Sequence, residues 1–568
     1  MAIRTTRQLL QDVRGVIDEV RKQAGAPGLA YGVIHNGSII YEDFFGFRDV
    51  EQKLAPDRDT LFLVASLTKA MSATAVAKLV DKGLLSWETP VHEILPELSK
   101  DSKLAMTDLN IVDVLCHRTG KAWCDALYLQ SNNNMMLPKS EALRTFDYLP
   151  MAASPRTRHL YNNHAYNLVG FVLERLFDTD YGTLMRRELF EPLTMSRTYT
   201  EQVADENAAK YYNILTDKSA YEIPACATTK DTIMFAGQSV RTSLGDLLKL
   251  YGSYLTSLAP TVPRRDGAAT VTKENASLLA RFGGLMGFKP TSNDVSTARS
   301  TDFPPLPVKD VLPLTSGHIR REENSVLEQS YGLGWCRTQL PGKLDFAWNR
   351  TVVDQLPVLG ASCAGKLVIW HGGNMPGTTA AVCMLPETST AVVVLQNSLG
   401  LCDAADWTCQ LVLDVLFAGK PMQDYPALSA QAATNTAEKM NEVEAELEAE
   451  RIPGTQPREL SAYVGTYYNS LRNWSIAILL DEEGQLQLRL QSRDDEEYLL
   501  RHYHYDTFVW NLSYDEMVKR AQYIRPAHFY KFAFEASNQG SVIDRLRWQH
   551  DPEMKDGELF VLDASTRP

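Results

Sequence analysis

The chain lacks any sign of a disulfide framework. Its eight cysteines (Cys116, Cys124, Cys226, Cys336, Cys363, Cys383, Cys402 and Cys409) are scattered and include no C-x-x-C pair. In 568 residues such scatter points to reduced thiols and a cytoplasmic protein. No Cys/His cluster has ligand spacing, so neither a metal nor another cofactor is expected. Positive charge is also short. The formal net charge of −13 argues against a nucleic-acid partner and against an anionic membrane surface. No apolar run is long enough to cross a bilayer. The first 25 residues hold no apolar core of the kind a secretory leader needs. The G-x-S-x-G elbow and the glycine-rich nucleotide loops are missing. The nearest approach to a phosphate loop, GASCAGKL at 360–367, ends in Leu where a metal-binding hydroxyl belongs.

What is present reads as a globular protein of two or three domains: 44% hydrophobic and 22% charged residues. Leu9, Leu10, Val13, Ile17 and Val20 recur at helical spacing and predict an amphipathic helix ending near Gly25. Residues 30–46, AYGVIHNGSIIYEDFFG, flank Asn36-Gly37, the pair a tight I′ turn prefers, and predict a hairpin. Residues 61–80, LFLVASLTKAMSATAVAKLV, predict a buried helix that stops near Gly83. Another helix is expected over 165–178, and two strands joined through Pro386 over 367–397. Residues 1–425 therefore read as an α/β (α+β) body, an antiparallel sheet flanked by helices plus a helical subdomain. Residues 426–458, Ala/Glu-rich and ending in Pro and Gly, read as a helical linker. Residues 459–568 read as an all-β domain of short strands. Two stretches, 121–140 and 288–328, look like insertions that form either lids or disordered loops.

Ser66 and Lys69 stand out inside the buried helix. Residues three apart share a helix face, with roughly 5–6 Å between Cβ atoms, so Lys69 can reach the Ser66 hydroxyl. A serine is a weak nucleophile until a base takes its proton, and a lysine buried among apolar groups can be that base. The helix N-terminus would favour the negative charge that develops. The motif alone leaves a plainer alternative open. A chain this long holds about one or two S-x-x-K matches by chance. Ser66 could cap the helix while Lys69 snorkels to solvent.

Downstream blocks in order make the sequence resemble the serine β-lactamase and penicillin-binding-protein family. Its nearest types there are class C β-lactamases and their esterase, D-aminopeptidase and transesterase relatives. The resemblance runs over about residues 25–420: the Ser66 helix, IVDVLCHRTG, YNNHAYNLVGFVLERLF, GQSVRTSLGDLLKLY, YGLGW and WHGGNMPGTTAAVCMLPETSTAVVVLQNS. It implies a β-lactamase/transpeptidase-like fold, and the all-β tail resembles the lipocalin-like barrel of some family members. The family's Y-x-N motif fits Tyr161-Asn162-Asn163, followed by a helix. Tyr211 and Tyr467 also begin Y-x-N matches, but neither has that context. By resemblance Ser66, Lys69 and Tyr161 are catalytic, Tyr161 as a general base whose phenolate Lys69 stabilises. Asn163 would bond a substrate carbonyl or Lys69. The family's third motif, K-T-G in β-lactamases, is here His371-Gly372-Gly373, with glycines that admit a substrate backbone. Asn374 N–H and Ser66 N–H would form the oxyanion hole.

The histidine departs from the β-lactamase lysine that holds an antibiotic's carboxylate, and it is mostly neutral at pH 7. The resemblance therefore implies a serine hydrolase or acyltransferase acting through a Ser66 acyl-enzyme on an ester, thioester or amide. The expected partner is a small-molecule acyl substrate, such as a natural-product intermediate, with an acyl acceptor or a carrier-protein-bound donor also compatible. The competing reading is a non-catalytic scaffold that keeps the fold. Trp123, Tyr128, Tyr331 and Trp335 either shape the pocket or pack ordinarily.

Overall fold

In the computed structural model, Asn36 and Gly37 both take positive φ, 52° and 80°. That is the twist that joins two antiparallel strands across a two-residue loop. The model describes residues 5–98, 109–261, 302–321, 325–537 and 542–567. The hairpin pairs β1 (Gly28–His35) with β2 (Ser38–Gly46). Along β1 every residue but the last is buried, which explains an apolar run without alternation. The same sheet is completed by β3 (Ile319–Arg320), β4 (Gln329–Tyr331), β5 (Cys336–Gln339), β6 (Leu367–Met375), β7 (Thr378–Leu385) and β8 (Thr390–Gln396). Its order is β2-β1-β8-β7-β6-β5-β4-β3, antiparallel throughout. The first and last strands of this sheet in chain order, β1 and β8, thus lie side by side.

The helices that matter for the site are α1 (Arg14–Gln23), α2 (Thr68–Asp81), α3 (Ala165–Phe177), α4 (Leu244–Leu258), α5 (Ala404–Ala418) and α6 (Tyr425–Glu450). α4 and α5 pack on β8, and α2 packs on α3. α5 is buried from Ala404 to Val415, enclosed between the sheet, α1 and α6. Where the sequence predicts one N-terminal helix there are two, Thr6–Asp12 and α1. They break at Val13, whose ψ of 2° leaves the helical range. Within the expected linker, residues 426–450 are α6. Its apolar side, with Ala432, Met440, Val443 and Leu447, is buried rather than hydrated.

The tail forms nine strands: β9 (Gly465–Tyr468), β10 (Ser475–Leu480), β11 (Leu486–Leu490), β12 (Glu497–Leu499), β13 (Arg501–His504), β14 (Thr507–Val509), β15 (Lys531–Glu535), β16 (Arg545–Trp548) and β17 (Glu558–Leu562). The order β12-β11-β10-β9-β17-β16-β15-β14-β13 ends on two strands separated only by Leu500. The sheet therefore curls into a nearly closed barrel, which leaves little unpaired edge. Tyr467 is a barrel residue whose hydroxyl donates to Tyr463 O.

Of the two expected insertions, 121–140 is ordered and holds a short turn, Asp125–Leu127. In 288–328, residues 288–301 and 322–324 lie outside the described residues, and a short helix, Leu312–Thr315, precedes β3. Trp335 is fully buried, with ring centroids 5.8 Å from Tyr251 and 5.2 Å from Tyr254 of α4. It is a packing residue. Trp335→Ala is expected to cost about 3–5 kcal/mol, read as a lowered thermal midpoint of the first body by calorimetry.

Candidate active site

Among residues 61–77 only Ser66 is not fully buried. The chain reaches it through Ala65, whose φ of 45° is left-handed and costs a non-glycine residue about 1–2 kcal/mol. That kink starts a 3-10 turn, Ala65–Leu67, which runs into α2 and turns the Ser66 hydroxyl out of the apolar core. Lys69 follows one turn later and is wholly buried.

A buried ammonium needs acceptors on every side. Lys69 Nζ lies 2.9 Å from Ser66 Oγ, 2.8 Å from Asn163 Oδ1 and 3.1 Å from Gly237 O. The rings of Tyr161 and Tyr166 cover it at 5.0 and 5.2 Å. Burial pulls its pKa down to about 7, against an opposing pull from the Asp125 carboxylate. In the neutral form two N–H groups serve Asn163 and Gly237, and the lone pair is left for the Ser66 proton. Tyr161 donates to Ser66 Oγ from the other side, at 2.9 Å.

Tyr161 sits where the sequence expectation puts a proton-transfer group, its hydroxyl against Ser66 Oγ. Desolvation raises its pKa, opposed by the Ser66 hydrogen bond, which favours the protonated phenol. Tyr161 is fixed by its neighbours. The His117 ring lies 4.1 Å from the Tyr161 ring, and His117 Nδ1 accepts from Asn162 N–H. Asn162 in turn bonds Ala122 O and caps the Ala165 N–H at the start of α3.

His371 is buried inside β6, which continues unbroken to Met375. Its Nδ1 lies 2.6 Å from Gly372 O, which can only accept, so Nδ1 carries the proton. Its Nε2 then accepts from Tyr331 OH at 2.8 Å. Burial and the nearby Lys69 push its pKa down to about 3, so it is neutral. The glycines beside it are demanded by backbone on both sides. A Cβ on Gly372 would meet Phe346 O at 1.9 Å, and one on Gly373 would meet Val64 O at 2.2 Å. β6 thus lies directly against the segment that delivers Ser66, and Asn374 follows, half-buried.

Ser66, Lys69, Tyr161 and Asn163 converge in one hydrogen-bonded cluster. His371 stands beside it, its ring 6.3 Å from that of Tyr161. Tyr211 lies elsewhere, packed against Gly377. Trp123 is exposed, whereas Tyr128 is buried and accepts from Asn163 Nδ2 at 3.3 Å. Sequence reasoning missed Asp125, which accepts from Asn163 Nδ2 at 2.8 Å and which burial raises to about 7. It also missed Gly237 and His117. His117 and Gly237 lie in the blocks IVDVLCHRTG and GQSVRTSLGDLLKLY that carry the resemblance, whereas nothing in its local sequence marks Asp125, which acts across a long chain separation.

With this geometry the comparisons with known proteins agree on the class. The Beta-lactamase family model matches residues 13–412, and the chain belongs to that family of serine hydrolases. A second model, a domain of unknown function (DUF3471), matches residues 449–561. An unguisins hydrolase of Aspergillus violaceofuscus is 26% identical over 511 residues, covering 85% of this chain and 77% of its own. The human mitochondrial serine beta-lactamase-like protein LACTB is 22% identical, covering 43% of this chain and 56% of its own. Among solved structures, the octameric penicillin-binding protein homologue from Pyrococcus abyssi superposes with a TM-score of 0.53 at 18% identity, covering 97% of this chain and 99% of that one. A class C beta-lactamase gives 0.50 at 16% identity, covering 72% and 95%. These structures show the fold.

Since the neutral Lys69 amine is the form that can accept the Ser66 proton, acylation is expected to rise with pH along a limb near 7 and level off above it. The limb belongs to the Lys69–Asp125 pair, and a pH–rate profile of ester turnover at saturating and limiting substrate checks it.

Proposed function

We propose that the protein is a serine acyl hydrolase that works through an acyl-enzyme on Ser66, with a small-molecule ester, thioester or amide as substrate. The observation that carries this reading is the Ser66 hydroxyl held at 2.9 Å by both Lys69 and Tyr161, with the lysine buried. Lys69 takes the Oγ proton as Oγ bonds to the substrate carbonyl carbon. The Ser66 and Asn374 N–H groups receive the oxyanion. Tyr161, kept protonated, gives its proton to the leaving group, and the proton on Lys69 passes back through the cluster. Water then attacks the ester carbonyl with the same groups in reversed roles.

Hydrolysis is favoured over transfer because the relative from Aspergillus violaceofuscus, similar over most of both chains, is named a hydrolase. Its name also supports a natural product as substrate class. A β-lactam antibiotic fits less well, since the neutral, Tyr331-bound His371 offers its carboxylate no positive charge.

The test is turnover of p-nitrophenyl acyl esters together with mass analysis of the acylated protein. Ser66→Ala is expected to lower kcat/KM by about a thousandfold or more with the fold intact. Tyr161→Phe is expected to lose about a hundredfold or more in kcat with little change in KM, and Tyr211→Phe less than about threefold. Wild-type protein that neither turns over nor gains an acyl mass across several chain lengths would leave the scaffold reading standing.

A further inference from the structure

The turn that carries Asp125 is held by the C-terminal domain as well as by its own body, where His164 Nε2 lies 3.3 Å from Cys124 O and Asn163 Nδ2 donates to Asp125. Cys124, left-handed at φ 50°, donates its N–H to Asp551 Oδ2 at 2.6 Å. Asp551 is a buried residue of the C-terminal domain. Leu127 O, at the other end of the turn, accepts from the indole of Trp474 at 3.1 Å. The chain that follows is held in the same way. Ser131 N–H donates to Glu496 at 2.8 Å, and Asn132 N–H donates to Arg520 O at 2.7 Å. Asp551, Trp474 and Glu496 are each almost wholly excluded from solvent. These are built contacts between two interiors.

From the seated turn the contacts run inward without a gap. Asp125 Oδ2 accepts from Asn163 Nδ2 at 2.8 Å, and Asn163 Oδ1 accepts from Lys69 Nζ at 2.8 Å. Lys69 reaches Ser66 Oγ at 2.9 Å. The amide of Asn163 has two different ends, so it must present its oxygen to the amine and its nitrogen to the carboxylate. The barrel side reaches the site a second time through Tyr523, whose hydroxyl donates to Asn374 O at 3.3 Å. Arg525, two residues on, is the positive group that most opposes the burial of Asp125.

We propose that the C-terminal barrel is a working wall of the active site: Asp551 and Trp474 are positioning residues that seat the 124–127 turn and, through it, the Asp125–Asn163 contact that holds Lys69. The proposal rests on the Ser66 acyl-enzyme reading for its consequence but not for its geometry. The charged or titratable groups facing Asp125 are Arg525, Lys69, Tyr128, Tyr523 and Cys124. Those facing Lys69 are Asp125, His117 and His371, under the two tyrosine rings. Both histidines are held neutral by burial, so Asp125 is the one group in this set that presents a negative charge to Lys69.

The experiment follows the rate at which a fluorophosphonate ester labels Ser66 in the full chain, by mass, between pH 5 and 10. Asp551→Ala is expected to slow labelling at least tenfold. Asp551→Asn, whose amide oxygen still accepts the Cys124 N–H, is expected to recover to within about threefold of wild type. Trp474→Phe serves as the second probe of the seat if Asp551→Ala does not fold. Asp551→Asn no better than Asp551→Ala overturns the proposal and leaves the barrel a stabiliser. Hydrogen exchange of residues 122–136 reads the seat without any reaction. Unchanged protection in Asp551→Ala overturns the proposal even in a protein whose Ser66 proves unreactive, whereas a wild type unlabelled at Ser66 sinks the acyl-enzyme reading alone.

Discussion

Everything around this site is arranged to keep one amine inside protein. A lysine with no exposed surface is costly as a cation unless each N–H has an acceptor, and less costly once neutral. The structure meets both demands together. It supplies Asn163 and Gly237 from two separate segments, and it leaves the third direction to the serine one turn earlier. The strained Ala65 belongs to the same arrangement. Without the kink Ser66 would lie in the apolar run, and Lys69 would have a buried neighbour but no substrate.

β6 answers a second constraint. The strand and the serine turn approach at backbone distance. The sequence His371-Gly372-Gly373 is what such closeness permits, with Phe346 O against one glycine and Val64 O against the other. The histidine is then constrained in turn. Held by Gly372 O and Tyr331 OH, and pressed by the charge of Lys69, it has no room to become a cation. A β-lactamase lysine and this histidine thus differ in more than size. One offers a substrate a positive charge, and the other offers it none.

What could be read from the sequence follows the range of each interaction. The I′ hairpin, the buried Ser66 helix and the helix after Tyr161 are set by residues a few positions apart. Their signals, Asn36-Gly37 and the apolar runs, are local. The fit of Tyr161-Asn162-Asn163 to a motif also pointed, over Tyr211 and Tyr467, to the tyrosine that bonds Ser66. The environment of the Tyr161 hydroxyl was not legible, because its contacts with Ser66 and the His117 ring are made only in the assembled fold. Asp125 was not legible for a related reason. In sequence it is one acid in a loop rich in Asn and Ser. It gains meaning only when Asn163, thirty-eight residues on, turns its amide toward it.

The order in the 121–140 segment bears on why the barrel and the first body are joined by a packed helix. A flexible tether would leave the barrel free to move, and hydrogen bonds from Cys124, Ser131 and Asn132 to barrel atoms would then be lost to water. α6 removes that freedom. It lies along α1, and it meets the barrel where Tyr503 donates its hydroxyl to Leu447 O and Tyr530 contacts Met440. Each contact is modest by itself, but together they cross-link one rigid path from the sheet to the barrel and back to the loop beside Asn163. Holding the buried Lys69 amine in one orientation needs such a closed path, because a group held from one side only can still swing. The fold closes the path with a domain that a one-body β-lactamase does without.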